Sequence, residues 1–421
     1  MLIKRELYLP RIREYYDADL IKVLTGIRRA GKSKILEQII DELKERGINE
    51  AQIVFINFED LDFQYLNTAN KLNEYVKSKI IDDRKYYLFF DEIQHVKDFE
   101  KAIASFKATK NCSIFVTGSN SKLLSGELAT LLVGRTVEFK IFPFTYKEAL
   151  DYLQLLGKEV RADFFFDYLK WGGFPQRFNL VNESAVKQYL DSIYNGIISK
   201  DILIRNTEII EHKFKSVCSY VLANAGKEFS AAKIADYMNT VDDRNLIGIE
   251  KKTIYAYLDK MEKAYFISRV KRFNINGKEV LKTIEKQYAV DLGLRTINTN
   301  LINFGDAFFL ENIVYNELIV RGYDVFTGKT YKGEVDFVAI KNGKKCFIQV
   351  AYYLLDRATI EREFGAFSPI KDASPKFVLS LDQIDLSQKG ITHLNIVDFL
   401  LGKVDLSLSW FSLTQKNFEF V

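Results

Sequence analysis

The sequence predicts an α/β protein of several domains, the first of which is built on a parallel sheet. Its 421 residues are too many for one hydrophobic core and suggest roughly three domains. In the first third of the chain, short apolar segments alternate with segments of helical periodicity. A glycine-rich turn joins the first such strand to the first such helix, and ligands of parallel sheets bind beyond the carboxyl ends of the strands.

Composition and charge exclude several classes of protein. No apolar run reaches the ~18 residues of a membrane-spanning helix, and the amino terminus lacks the apolar segment of a secretory signal peptide. Cys112, Cys218 and Cys346 lie far apart, which is typical of reduced thiols, and the three histidines are scattered. We therefore expect a cytoplasmic protein without a membrane partner or a histidine zinc site. The net charge of +4 neither requires nor excludes nucleic acid.

The glycine-rich turn matches G-x-x-x-x-G-K-[ST], the phosphate-binding P-loop. Leu20–Leu24 before it reads as a buried strand, and a helical pattern follows it. The two glycines let backbone N–H groups point inward at phosphate oxygens, and the helix N-terminus adds partial positive charge. Lys32 would reach the β- and γ-phosphates, and Ser33 would ligate Mg²⁺. The predicted nucleotide-binding residues are Gly26, Ile27, Arg28, Arg29, Ala30, Gly31, Lys32, Ser33 and Lys34.

A later apolar strand, Tyr86–Phe90, ends in two carboxylates and forms the Walker B pattern. Asp91 is predicted to hold Mg²⁺ directly or through water. Glu92 is predicted to orient and activate the attacking water, and Lys32 is also counted among the catalytic residues. Together with the P-loop, this pattern predicts ATP and Mg²⁺ as cofactors.

Two further positions are candidates for contact with the γ-phosphate. Ser119 and Asn120 follow the strand Ser113–Thr117, where a polar side chain senses the phosphate, positions water or caps the next helix. The sequence does not choose between these roles. Arg135 precedes the strand Thr136–Ile141 and would neutralise charge on the transferred phosphoryl group, in its own subunit or in a neighbouring one of a homo-oligomer. The alternative is a surface arginine at a strand start.

The run from Gly26 to Arg135, and on to Phe142-Pro143-Phe144-Thr145, resembles the AAA-type ATPases of the archaeal and STAND-like groups. The matching strings are GIRRAGKS, FFDEIQ, TGSNSKLL and LVGR. The resemblance extends to the string at residues 171–175, WGGFP, and to the string at 288–294, YAVDLGL. It implies ATP binding and hydrolysis, Arg135 as an arginine finger or sensor, and a nuclease-like domain at the carboxyl end.

The middle of the chain is predicted to be helical and then to form a winged helix. Residues 146–210 read as a helical lid, in which Lys200-Asp201 either contacts the sheet domain or is a solvated charge pair. Residues 211–290 predict three helices and a strand followed by a hairpin turn, the order of a winged helix. The predicted elements are Lys213–Leu222, Ser230–Asn239, Glu250–Met261, Phe266–Arg272 and the turn Asn276-Gly277.

The charge of this middle segment suggests duplex DNA as a partner. Lys213–Arg272 contains 12 Lys and Arg against 7 Asp and Glu, a surplus of five that exceeds the +4 of the whole chain. Such a surplus suits phosphate neutralisation, but winged helices also serve as protein-binding or interdomain modules. The positive side chains on the third helix and beside the wing are Lys251, Lys252, Lys260, Lys271 and Arg272.

The carboxyl-terminal part, residues 291–421, contains a predicted hairpin whose register the turn fixes. The strands at 334–340 and 345–351 flank a two-residue Asn342-Gly343 turn. This turn places Asp336 opposite Gln349 and Glu334 opposite Ala351, on one face.

With Glu311 on the preceding helix, the arrangement resembles the PD-(D/E)XK nuclease fold. The resemblance implies a Mg²⁺ site in which Glu311, Asp336 and Gln349 fill three places. The catalytic lysine position is Ala351, whose methyl group cannot stabilise a hydroxide. We therefore expect a degenerate, vestigial site, unless another cation such as Arg362 moves in.

The predicted fold is an α/β multidomain protein with a parallel-sheet P-loop ATPase core (1–145), a helical lid (146–210), a winged helix (211–290) and a restriction-endonuclease-like α/β domain (291–421). The predicted function is an ATP-hydrolysing switch or motor that acts on DNA. The alternatives are a signalling switch whose carboxyl-terminal domains recognise a protein partner, and an ATP-regulated DNA nuclease.

Overall fold

The residues that the structure describes form two sheets surrounded by helices. It is a computed structural model that describes residues 3–119, 134–204, 206, 208–240, 249–298 and 307–406, with the backbone alone at 240, 282–285 and 307. One sheet has five strands and belongs to the first third of the chain, and the other has seven.

The predicted parallel sheet of the first domain is confirmed. Its strand order is β2-β3-β4-β1-β5, and each neighbouring pair is parallel. β1 and β3 are buried along their whole length, which explains why they read as continuous apolar runs. The strands are β1 Ile21–Thr25, β2 Ile53–Asn57, β3 Tyr86–Asp91, β4 Cys112–Gly118 and β5 Thr136–Lys140.

Helices cover this sheet on both faces. The helix after the P-loop, α2, buries Ile35, Leu36, Ile39 and Leu43, which is the apolar stripe that predicted it. The helices in the described part of the first domain are α1 Leu9–Arg13, α2 Lys32–Glu45, α3 Ala69–Lys79 and α4 Phe99–Thr109.

The predicted lid is helical. Thr145 and Glu148 form a capping box that starts its first helix. Its helices are α5 Tyr146–Leu155, α6 Phe164–Trp171 and α7 Glu183–Ile197. The last of these continues into a π-helical turn, Ile198–Leu203, which we call the connector.

Three helices and a hairpin follow, in the predicted order. They are α8 Glu211–Ala223, α9 Ala231–Thr240, α10 Lys251–Lys263, β6 Ile267–Asn274 and β7 Glu279–Ala289. The hairpin turn covers residues 275–278, with its left-handed residue at Lys278 (φ 54°), after Gly277.

The hairpin β6–β7 belongs to the seven-stranded sheet, so the predicted boundary at residue 290 divides one sheet. β6 pairs in parallel with β8, and the strand order is β12-β11-β10-β9-β8-β6-β7. The prediction missed this because the pairing joins strands that are distant in sequence. The remaining elements are α11 Leu292–Ile297, α12 Ala307–Val320, β8 Asp324–Lys329, β9 Glu334–Lys341, β10 Lys344–Val350, α13 Arg357–Gly365, β11 Lys376–Ser380, β12 Thr392–Asn395 and α14 Ile396–Leu400.

The predicted register of the hairpin β9–β10 is confirmed. Asn342 and Gly343 both have positive φ (50° and 73°), as a two-residue turn of this type requires, and Lys341 pairs with Lys344. The backbone N–H of Asp336 donates to Oε1 of Gln349 at 3.3 Å, so these two residues are cross-strand neighbours.

Asp291 joins the lid to the carboxyl-terminal half of the chain. Its carboxylate accepts from the backbone N–H of Gly173 at 2.7 Å and of Gly293 at 2.8 Å. A Cβ atom on Gly172 would lie 2.0 Å from Oδ1 of Asp291, so only glycine fits there. The two strings at residues 171–175 and 288–294 thus meet in one buried contact.

Among the described residues, the structure contains no helix long and apolar enough to cross a membrane.

Candidate nucleotide site and the carboxyl-terminal carboxylate cluster

The P-loop has the curled backbone that its glycines predict. Gly26 and Gly31 have positive φ (138° and 97°), and a Cβ on Gly26 would lie 2.1 Å from the carbonyl oxygen of Ile141. The buried Lys32 donates to the carbonyl oxygens of Gly26 at 3.1 Å and Ile27 at 3.3 Å. Its ammonium group therefore lies over the loop in which a phosphate would sit.

The two Walker B carboxylates reach this loop from the end of β3. Nζ of Lys32 lies 3.8 Å from Oε1 of Glu92, and the hydroxyl of Ser33 is near enough to Asp91 to favour its ionised form. Thr117 of β4 lies between them, since its hydroxyl donates to Asp91 and accepts from the backbone N–H of Glu92 at 2.9 Å. Sequence reasoning missed Thr117, although its place at the end of the strand before Ser119 was a usable signal.

The pKa values of the two Walker B carboxylates shift in opposite directions. Burial raises the pKa of Asp91, although hydrogen bonds from Thr117 and Ser33 oppose that shift. Burial also opposes the charge on Glu92, but Lys32, Gln94 and Arg28 outweigh it and lower the pKa of Glu92. Glu92 is therefore ionised at neutral pH, as an acceptor for a water proton must be.

A cavity of about 660 Å³ opens above the P-loop and has the size of a nucleotide site. At one end it is lined by Arg28, Lys32 and Glu92, and towards the lid by Phe144, Tyr152, Pro175 and Tyr189. Of the other predicted binding residues, Arg29, Gly31, Ser33 and Lys34 also line it, whereas Ile27 and Ala30 are buried beneath the loop.

Arg5, which the sequence did not indicate, fixes one wall of this cavity. Its buried guanidinium donates to Oε1 of Glu148 at 2.6 Å, to the carbonyl oxygen of Ala30 at 3.1 Å and to that of Phe142 at 2.9 Å. It therefore ties the amino-terminal segment, the P-loop and the first lid helix together.

The structure places Ser119 and Arg135, two of the remaining γ-phosphate candidates, at opposite edges of the parallel sheet. Ser119 is buried at the carboxyl edge of the sheet, and Asn120 lies outside the described residues. Arg135 is exposed and lies at the opposite edge of the sheet. Its carbonyl oxygen accepts from the N–H of Ile21, the first residue of β1, at 2.8 Å, which fixes it at the end where β1 begins. The P-loop follows the last residue of β1, so the structure does not bring Arg135 to the P-loop of its own chain.

Asp201 contacts the nucleotide domain, which decides between the two interpretations of Lys200-Asp201. Lys200 is exposed, whereas Asp201 is buried on the connector. Nε of Arg28 lies 3.2 Å from Oδ2 of Asp201, and the hydroxyl of Ser119 donates to its Oδ1 at 3.4 Å.

A lysine that the sequence did not indicate occupies the predicted metal site of the carboxyl-terminal domain. Nζ of Lys286, from β7, lies 2.7 Å from Glu311, 2.7 Å from Glu334 and 3.5 Å from Asp336. Among the described residues no group of three or more His, Cys, Asp or Glu side chains could hold a metal ion. An ammonium group thus lies among the carboxylates that were predicted to hold a metal ion.

Gln349 and Arg362, the other side chains considered for that site, both pair with Glu363. Nε2 of Gln349 donates to Oε2 of Glu363 at 2.9 Å. Arg362 is 72% exposed and pairs with Glu363 at 2.7 Å, so it is not the cation that completes the site. Lys286 supplies the positive charge, and it comes from a strand that the prediction had assigned to another domain.

Two family models match the chain. One, described as an AAA domain, matches residues 18–150, and the other, a domain of unknown function (DUF8612), matches residues 162–304. An uncharacterized protein of Haemophilus influenzae is 35% identical over 405 residues, which are 95% of this chain and 99% of that protein. The chain belongs to the same family. We call it the AAA-domain family, after the domain at residues 18–150.

An uncharacterized protein of the archaeon Methanocaldococcus jannaschii is also similar to this member of the AAA-domain family. It is 31% identical over 394 residues, which are 89% of this chain and 82% of that protein. The match at residues 162–304 crosses the predicted boundaries at 210 and 290, in agreement with a sheet that continues past residue 290.

Solved structures resemble this AAA-domain protein only loosely. The Aeropyrum pernix ORC1 protein in complex with DNA has a TM-score of 0.31 at 10% identity, over 71% of this chain and 92% of that chain. AMPPCP-bound DnaA from Aquifex aeolicus has a TM-score of 0.32 at 14% identity, over 62% of this chain and 89% of that chain. Similarities of this size carry no conclusion about function.

Proposed function

We propose that this protein binds and hydrolyses ATP and works as a nucleotide-dependent switch. One observation carries the proposal: Lys32 and Ser33 of the P-loop lie beside the carboxylates Asp91 and Glu92, next to a cavity large enough for a nucleotide that Lys32, Ser33 and Glu92 line. The aromatic and proline side chains towards the lid provide apolar surface for a base.

Each residue of this cluster has a distinct task. Lys32 exchanges the carbonyl oxygens of its own loop for phosphate oxygens, which are better acceptors for an ammonium group. The hydroxyl of Ser33 and the carboxylate of Asp91 are hard oxygen ligands that suit Mg²⁺, which neutralises phosphate charge when bound. Glu92, ionised and beside Lys32, orients a water molecule and accepts its proton.

Two substitutions and one control test this proposal. Lys32→Ala removes a buried charge-assisted contact, so Mg²⁺-ATP binding should fall by at least tenfold. Glu92→Gln keeps the shape and should leave ATP affinity within about twofold, while turnover falls by about a hundredfold or more. Lys44→Gln, at the far end of α2, breaks only an exposed ion pair with Glu50 and should change neither. Wild-type turnover in Glu92→Gln would exclude Glu92 as the base.

We further propose duplex DNA as a partner, bound by the three helices and hairpin acting as a winged helix. α10 buries Ile254, Leu258 and Met261, whereas Lys251 and Lys252 are exposed on its surface. Lys271 is also exposed on β6. These positions leave the ammonium groups accessible to phosphates.

A further inference from the structure

Arg28 of the P-loop is paired with a carboxylate that lies outside the nucleotide domain. Its Nε lies 3.2 Å from Oδ2 of Asp201 and its Nη2 lies 3.4 Å from Oδ1. The arginine side chain is 24% exposed and lines the nucleotide cavity, whereas Asp201 is 1% exposed. The guanidinium thus contacts the buried carboxylate of Asp201, and the side chain that carries it also borders the nucleotide cavity.

Asp201 belongs to the connector, which links the lid helices to the three helices that follow. The connector is π-helical, and such turns are frequent at functional sites. The same carboxylate accepts from the hydroxyl of Ser119, at the carboxyl end of β4. One side chain of the connector therefore contacts both the P-loop and the position predicted to sense the γ-phosphate.

Arg28 lies at the end of the cavity where hydrolysis would take place. Burial opposes its charge, but Asp201, Glu92 and Glu59 raise the pKa of Arg28 above its usual value. Its Nη1 lies 3.6 Å from Glu59, and its charge helps to lower the pKa of Glu92. Glu92 is the residue that would activate water against the γ-phosphate, and Arg28 lines the same cavity, so we expect Arg28 to reach that phosphate.

We propose that Arg28 exchanges Asp201 for the γ-phosphate when ATP binds, and that this exchange reports the nucleotide state to the connector. The proposal rests on the proposed ATPase function. A guanidinium bonds phosphate and carboxylate in the same forked geometry, so the two anions compete for one group. ADP has no γ-phosphate and leaves Arg28 on Asp201. ATP frees Asp201, and the connector loses its contact with the P-loop.

Competition predicts opposite effects for the two partners of one ion pair. Arg28→Gln removes the phosphate contact, so affinity for a non-hydrolysable ATP analogue should fall about tenfold or more while ADP affinity stays within about twofold. Asp201→Asn removes the competitor, so affinity for the analogue should rise severalfold, again with little change for ADP. A purely structural ion pair would shift both nucleotides in the same direction in both variants.

Isothermal titration of the full chain with each Mg²⁺-nucleotide gives these affinities, and the analogue-to-ADP ratio within each variant removes effects of altered stability. Arg28→Lys keeps the charge without the forked geometry and should lower the ratio less than Arg28→Gln. Asp372→Asn, which breaks another partly buried pair at 2.7 Å from Lys345, should leave the ratio unchanged.

Hydrogen–deuterium exchange of residues 198–204 supplies a second readout. Exchange should be faster with the ATP analogue than with ADP in the wild type, fast with either in Asp201→Asn, and insensitive to the nucleotide in Arg28→Gln. A wild type that binds neither nucleotide would overturn the proposed function itself. The alternative result is that the wild type binds both nucleotides while Arg28→Gln and Asp201→Asn shift the analogue-to-ADP ratio in the same direction or leave it unchanged. That result would overturn only the proposed exchange of Asp201 for the γ-phosphate at Arg28.

Discussion

Nζ of Lys286 lies 2.7 Å from Oε1 of Glu311, so a lysine of β7 pairs with the carboxylate that α12 brings to the seven-stranded sheet. Burial opposes the charge on Lys286, but Glu311, Asp336 and Glu334 raise its pKa above the usual value. Burial and the neighbouring Asp336 raise the pKa of Glu311 to about 8, against the opposing effect of Lys286. The cluster depends on a single described lysine for its positive charge.

Replacing that lysine should convert the cluster into a cation site. Lys286→Met leaves buried carboxylates unpaired, so the free energy of unfolding near pH 8 should fall by about 3–5 kcal/mol. Added Mn²⁺ should restore part of the lost stability, because carboxylate oxygens become available as ligands. Thermal melting with and without Mn²⁺ measures both effects. Lys345→Met, which breaks the partly buried pair with Asp372, should show no such rescue.

The wild-type cluster should not cut DNA. Its ammonium group lies where a metal-dependent nuclease would need its metal, so we expect no Mg²⁺- or Mn²⁺-dependent cleavage of plasmid or linear DNA. Agarose electrophoresis after long incubation is a sufficient assay. Robust cleavage that disappears in Asp336→Ala would contradict this and would revive the ATP-regulated nuclease.

Asp291 should make stability depend on pH in a defined direction. Burial raises the pKa of Asp291 from 3.8 to about 6, despite hydrogen bonds from Gly173 and Gly293. A raised carboxyl pKa means that the folded state binds the proton more tightly than the unfolded state. The stability that protonated Asp291 contributes is therefore fully present below pH 3.8 and is lost as the pH rises to about 6. The stability of wild type relative to Asp291→Asn should therefore fall from pH 4 to pH 6 and stay level above. A difference that rises over this range in urea unfolding would contradict the shift.

Positive side chains on α10 and β6 should control DNA affinity. Replacing Lys251, Lys252 and Lys271 by Gln should weaken duplex binding and reduce the salt slope by roughly one unit for each lost phosphate contact. Lys260→Gln is the matched control, because its ammonium group already pairs with Glu208 at 3.1 Å. Fluorescence anisotropy of the full chain over a range of salt measures both. No binding at low salt would favour a protein partner instead.

Arg135 should act only between subunits. It is exposed at the sheet edge opposite the P-loop, so its proposed contact with a γ-phosphate requires a homo-oligomer. Arg135→Ala should then lower turnover more than ATP affinity, and mixing it with Lys32→Ala should restore activity at mixed interfaces. Arg84→Ala, an exposed arginine paired with Asp82, is the control. Unchanged turnover in Arg135→Ala would show that Arg135 is a surface arginine at a strand start, with no part in hydrolysis.

The sequence by itself determined the features that short-range patterns encode. The P-loop needs two glycines at a fixed spacing between a strand and a helix, and the Walker B pair needs only a strand end, so both were predictable from spacing. The register of β9 and β10 followed from a two-residue Asn342-Gly343 turn, because side chains alternate along a strand.

Only the tertiary structure decided which distant segments meet. Lys286 reaches Glu311 because β6 pairs with β8, and Asp201 reaches Arg28 because the lid folds back over the sheet. Arg135 is kept from its own P-loop because β5 runs parallel to β1 and so begins at the opposite edge. Strand pairing and helix docking between segments far apart in the chain depend on the burial of complementary surfaces, for which local periodicity contains no signal.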